Sequence, residues 1–248
     1  MMNYLRSELY RFARSKTYHI TNGVLAALMV AGTFLIQTIH QSEMVTEEPS
    51  HIFYFVVLGM TMAILLLNAL YAYILLGKDM KAVPTSISSG LSRGEIYMGK
   101  LIVTTLGLLI SEFLLVALAC ALGEFVFGNG DLQYMFLFLK AYLYTLPMIL
   151  SAFFLFFALK ILAVSEVFST LVIIVLYNLM GNILGLIGFV FEPVNHLRPF
   201  APSVIVAEIQ GNYQNLVGQY NPLTFVVGIV ITIISLGVSY YLFTRRDF

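Results

Sequence analysis

Six stretches of this chain each run for about twenty residues with almost no charge, and that pattern leaves few folds open. They are Asn22 to Ile39, Ile52 to Leu76, Leu101 to Phe127, Met135 to Leu159, Val167 to Phe191 and Leu223 to Phe243. A helix rises about 1.5 Å per residue, so about twenty apolar residues cross the roughly 30 Å of hydrocarbon in a bilayer. Helices also close their backbone hydrogen bonds internally, as hydrocarbon demands, and the alternating segments of a membrane barrel are absent. Of the 248 residues, 60% are hydrophobic and only 10% charged, against roughly 25% charge in a soluble domain. The expectation is an all-α membrane protein of six transmembrane helices, with residues 1–248 forming a single transmembrane domain.

Charge in the connections sets the expected orientation. Arg6, Arg11, Arg14, Lys16, Lys78, Lys81, Arg93, Lys100, Lys160, Arg245 and Arg246 all fall on one side. The opposite connections carry Glu43, Glu47, Glu48, Glu124, Asp131 and Glu192, with Arg198 and Lys140 as their cations. Both termini are therefore expected in the cytoplasm. The opening segment is amphipathic: Met1, Met2, Leu5, Leu9 and Phe12 share one helical face, and Ser7, Arg11 and Arg14 lie opposite. Such a segment is expected to lie as a helix in the cytoplasmic interface. No removable signal peptide is expected at the start.

Three local patterns resemble catalytic motifs and fail on context. Gly94 to Leu101 matches a phosphate-binding loop except at its last position, where Leu101 stands in place of the hydroxyl residue that holds magnesium. Gly90-Leu91-Ser92-Arg93-Gly94 spells a hydrolase nucleophile elbow, but no strand precedes it, and His196 falls on the far side of the membrane. Glu47-Glu48 lies in an outer connection without histidines inside a span. The single Cys120 and four scattered His offer no zinc pattern. No enzyme site is expected in this chain.

The connection from Gly77 to Lys100 carries the functional signal. Pro84 suits the first turn of a helix and Gly90 its end, which predicts a short helix near Val83 to Ser89. Beyond it, Ser89-Gly90-Leu91-Ser92-Arg93 leads through Ile96-Tyr97 to Lys100 at the third span. Together with the opening Leu5-Arg6-Ser7-Glu8-Leu9-Tyr10-Arg11, this resembles the type-2 ABC exporter permease family, in particular its bacterial peptide, lantibiotic and bacitracin export or immunity branch. The resemblance implies that the short helix is a coupling helix docking on a separate ATPase dimer, which binds the ATP and magnesium that this chain does not. It also implies a second permease copy, identical or homologous. Val83, Ile87, Leu91 and Arg93 are then the coupling residues. The sequence departs from the family at Lys81-Ala82, where Gly-Thr often precedes the helix.

Polar residues inside spans are expensive and mark function. Glu112 lies near the middle of the third span, and Asn68, Asn178 and Asn182 are its candidate companions on the second and fifth. Two readings stand side by side: a polar lining for a transport route that draws in a cationic peptide or drug, or interhelical hydrogen bonding around a protonated Glu112. The first leads to an ATP-driven exporter, although an ion-coupled carrier using Glu112 is the alternative. Gly181 and Gly185 form a small-xxx-small pair, which predicts a dimer interface on the fifth span. Between Glu192 and Pro222, four prolines alternate with Phe200, Val204, Ile205, Val206, Leu216 and Val217. That apolar content predicts a long outer re-entrant segment before the last span.

Overall fold

The computed structural model describes residues 2–41, 48–60, 71–76, 83–128 and 132–245. Its elements are α1 (Met2–Ala13), α2 (Lys16–Gln41), α3 (Pro49–Gly59), α4 (Val83–Ser88), α5 (Arg93–Phe127), α6 (Gln133–Ile161), α7 (Glu166–Val190), α8 (Glu192–Asn195), α9 (Pro202–Gln214) and α10 (Leu223–Arg245). A short 3-10 turn covers Arg198–Phe200, and no strand occurs among the described residues. Five helices, α2, α5, α6, α7 and α10, are long and apolar enough to cross a membrane. The expected span from Ile52 to Leu76 is represented by α3 and by helical residues 71–76; its middle, 61–70, lies outside the described residues.

Several helices begin earlier than their apolar runs. The α2 helix starts at Lys16, ahead of Asn22, and α5 starts at Arg93, ahead of Leu101. The early start of α5 has a local cause. Ser92 Oγ accepts from the Glu95 amide at 3.2 Å, and Glu95 Oε2 accepts from the Ser92 amide at 3.1 Å. This reciprocal capping box satisfies two amides that the first turn leaves without helical partners. At about 1.5 Å per residue, α5 is about 52 Å long, well beyond the hydrocarbon thickness.

The α10 helix lies along α6, where Gly228 faces Pro147. A Cβ at Gly228 would come within 2.7 Å of the Pro147 carbonyl oxygen, so only glycine permits this approach. Nearby, Thr224 Oγ1 donates to the Tyr144 carbonyl at 2.8 Å. Proline inside a helix disrupts the ladder of backbone bonds, and side-chain hydroxyls re-satisfy groups of this kind in apolar surroundings. On α7, the backbone runs as a π-helix from Val175 to Leu179.

Two apolar clusters hold the bundle. The larger joins α2, α3, α5, α6, α7 and α9 through Phe53, Tyr54, Phe138, Phe153, Tyr177 and Ile205. The smaller sits at the end carrying both termini and joins Val83, Ile96, Tyr97, Phe157, Ile161 and Phe243. There Tyr97 donates to the Leu236 carbonyl at 3.2 Å and meets Ser239 Oγ at 2.7 Å.

The opening helix is seated on protein: α1 lies on α5, with Tyr4 over Gly99 and Phe12 over Gly107. Its buried Glu8 pairs with Lys100, Oε1 to Nζ at 3.5 Å, and with Arg11 at 3.1 Å. At the opposite end, α9 folds back on α3 and α6 and buries Ile205, Val206, Ile209 and Tyr213. Gln210 fastens it by donating to the Leu58 carbonyl at 3.2 Å.

Candidate transport cavity

Four helices, α2, α3, α5 and α6, line a partly open cavity of about 360 Å³. Its walls are apolar, with Leu28, Gly32, Val56, Val116 and Phe138 typical of them. Two polar side chains, Glu112 of α5 and Tyr142 of α6, enter the lining. Glu112 is only 5% exposed, and the Tyr142 hydroxyl donates to its Oε2. The pair is a product of packing: α5 and α6 run side by side, and the two positions face across the seam.

A second set of hydroxyls occupies the neighbouring turns. Ser111 Oγ donates to Tyr18 Oη at 2.7 Å, and Tyr18 donates to the Gly107 carbonyl at 2.8 Å. Tyr71 donates to Asn22 Oδ1 at 2.8 Å. These bonds tie α2 to α5 and to residues 71–76, so the polar atoms next to the cavity are engaged with protein. Farther along the bundle, Tyr54 donates to Glu124 Oε1 at 3.1 Å. Under α9, burial pushes the Tyr213 phenol up, with Tyr220 and Tyr134 adding to the shift, and holds the Tyr220 phenol at about 12. Neither tyrosine therefore brings charge to that end at neutral pH.

The carboxyl at the cavity determines what this arrangement can do. A carboxylate surrounded by hydrocarbon is stabilised by a cation more strongly than one in water, since little solvent competes. One tyrosine hydroxyl leaves most of its acceptor capacity available. A cavity with apolar walls and a single acid has the chemistry to fit an apolar body bearing a positive group. Among the described residues, no group of three or more His, Cys, Asp or Glu is placed to hold a metal ion.

The other sequence candidates fall elsewhere. Asn68 lies outside the described residues. Asn178 and Asn182 are exposed on α7 and do not line the cavity with Glu112. Gly181 is buried against its own chain: its amide donates to Ser203 Oγ at 2.9 Å, and a Cβ there would come 2.5 Å from Val204 Cγ2. Gly185 faces Arg198, at 3.7 Å from a Cβ. The close approach that these glycines permit is thus taken up by the segment following α7 in the same chain.

The helix expected near Val83 to Ser89 is present as α4, over Val83–Ser88. Val83 is buried in the cluster at the terminal end, and Ile87 and Leu91 pack partly against it. Arg93 Nη1 donates to the Thr244 carbonyl at 3.0 Å. The apolar side of α4 therefore faces its own bundle, while Pro84, Thr85, Ser88 and Ser89 are exposed.

Sequence reasoning missed three partners. Tyr142 gave no signal, because nothing local links it to Glu112. The Lys100 of the phosphate-loop lookalike is the buried partner of Glu8. Ser92 of the apparent nucleophile elbow is a helix cap, and the Ser-x-x-Glu spacing to Glu95 could have revealed it.

No family model, curated protein or solved structure matches the chain. The five long apolar helices define its class: a multi-pass helical membrane protein by length and composition. Within that class, its distinguishing feature is an apolar chamber holding one buried acid.

Proposed function

We propose that this chain is the permease subunit of an ATP-binding cassette exporter in a bacterial plasma membrane. It takes a cationic peptide, lantibiotic or similar antibiotic from the cell, using ATP hydrolysed with magnesium on a separate ATPase dimer. Both termini and α4 face the cytoplasm, as the distribution of Lys and Arg requires. A second permease copy completes the transporter.

The observation that carries the coupling part is the seat of α4. Through Val83 it is rooted in a cluster that also holds Tyr97 of α5, Phe157 of α6 and Phe243 of α10. A displacement applied to α4 is passed to three long helices at once, because packed cores resist local deformation. Its exposed Thr85 and Ser88, with Ser89 just beyond it, give the ATPase a polar surface to engage. Glu112 and the cavity supply the cargo-facing part, where a positively charged substrate replaces some of its hydration with the carboxylate.

The buried Glu112–Tyr142 pair favours one other reading, an ion-coupled carrier in which Glu112 takes up and releases a proton. Purification from native membranes separates the two. An exporter permease brings a soluble ATPase with it, and Thr85→Asp with Ser88→Asp releases that ATPase while the chain stays inserted. If the purified chain retrieves no ATPase and still transports under an ion gradient, the carrier reading replaces the exporter.

A further inference from the structure

The polar groups of the cavity stand together at one end of it. Along α5, which leaves the terminal end at Arg93, the lining starts at Glu112 and goes on through Leu115, Val116 and Ala119. On α6, which returns to that end, Phe138 comes first and Tyr142 last. The acid and its tyrosine donor therefore mark the inner end of the chamber. Among the described residues, every lining side chain outward of them is apolar.

The chamber is also long and locally widened. Its α2 wall is one helical stripe of Leu25, Leu28, Met29, Gly32 and Ile36. Ile36 stands eleven residues beyond Leu25, about 16 Å at helical rise. Within this stripe Gly32 is a notch between Met29 and Ile36. The glycines at 99 and 228 are explained by a neighbour in contact, Tyr4 and Pro147 respectively. A Cβ at Gly32 meets no described atom within 4 Å, and the space it leaves belongs to the cavity.

We propose that the cavity takes a single-chain cationic amphiphile, its positive head at Glu112 and Tyr142 and its chain running outward past Gly32, whose missing side chain sets the width open to that chain. A charge at one terminus meets the acid while the methylenes behind it stay among apolar walls. A second charge along the molecule would be stranded in hydrocarbon without a partner. The inference rests on the permease reading in taking this cavity as the cargo-facing part. It narrows the cargo to molecules that present one linear apolar arm ending in a cation.

The test uses the full chain in nanodiscs of zwitterionic lipid, without ATP or ATPase, and empty nanodiscs as background. Radiolabelled dodecyltrimethylammonium should bind saturably. Neither dodecanol, which lacks the charge, nor tetramethylammonium, which lacks the chain, should displace it. Glu112→Gln and Gly32→Leu should each weaken binding at least tenfold, and Gly32→Ala at least twofold. Gly23→Leu should leave it unchanged, because that position on α2 is equally open but lies outside the lining. Variants are compared at equal amounts of monodisperse protein, and Gly32→Ala decides if Gly32→Leu does not insert. Displacement by dodecanol overturns the part given to the acid, and displacement by tetramethylammonium overturns the part given to the chain. Unchanged binding by the Gly32 variants overturns the notch. Recovery of a soluble ATPase is scored on the same membranes. Amphiphile binding without an ATPase overturns the permease reading alone, and an ATPase without amphiphile binding overturns this inference alone.

Discussion

Glu8 and Lys100 form an ion pair across α1 and α5, with both side chains almost fully withdrawn from solvent. Removing Lys100 leaves Glu8 with the partly exposed Arg11 as its counter-charge, so the loss is expected to fall below the about 3–5 kcal/mol of a fully orphaned buried charge, and removing Glu8 and Lys100 together is milder. Lys100→Met should therefore lower the thermal unfolding midpoint in detergent markedly. Glu8→Gln with Lys100→Met should recover much of the loss. Equal destabilisation by the single and double variants would count against the pair as the reason α1 sits on α5.

The contact of Gly228 with Pro147 gives a sharper packing test. A methyl group at Gly228 meets backbone on α6 that cannot swing aside, so Gly228→Ala should destabilise by about 1–3 kcal/mol. Gly237→Ala on the same helix meets nothing within 4 Å and should be tolerated. Thermal midpoints of the two variants, measured side by side, decide the matter.

Glu112 and Tyr142 are expected to separate transport from folding. Glu112→Gln keeps the shape and a hydrogen-bonding group, so the amount of inserted protein should stay near normal. Efflux of a fluorescently labelled cationic peptide should fall at least tenfold. Tyr142→Phe should produce a smaller defect, since the carboxyl remains. Normal efflux by Glu112→Leu would remove this residue from the pathway.

The orientation can be read from two exposed positions at opposite ends of the bundle. In a Cys120→Ser background, Gln219→Cys should react with an impermeant thiol reagent on intact cells. Ser88→Cys should react only after lysis. The reverse pattern would invert the proposed topology.

The long helices were legible because a sustained apolar run and the thickness of hydrocarbon are both one-dimensional quantities. Their true starts were not, since Ser92 and Glu95 lengthen α5 through a cap, and hydropathy does not register capping. Glu112 announced itself as a charge inside an apolar run. Its partner did not, because Tyr142 is one of 15 tyrosines, and only the packing of α5 on α6 selects it. Gly181 shows the same limit from the other side. Its spacing from Gly185 signals close approach, but periodicity cannot say that Ser203 and Val204 of the same chain are what approaches.

The four walls of the cavity are held with unequal firmness. Along its apolar stretch α2 has 6% of its residues buried, whereas α6 has 50%. Shifting α6 breaks the tight seam at Pro147 and uncovers much of the core, whereas shifting α2 gives up the contacts of Tyr18 and Asn22 and the partly buried Leu25, Met29 and Ile36. The least costly way to widen the chamber is therefore sideways, by swinging α2 out like a loosely hung door and opening Glu112 toward the lipid.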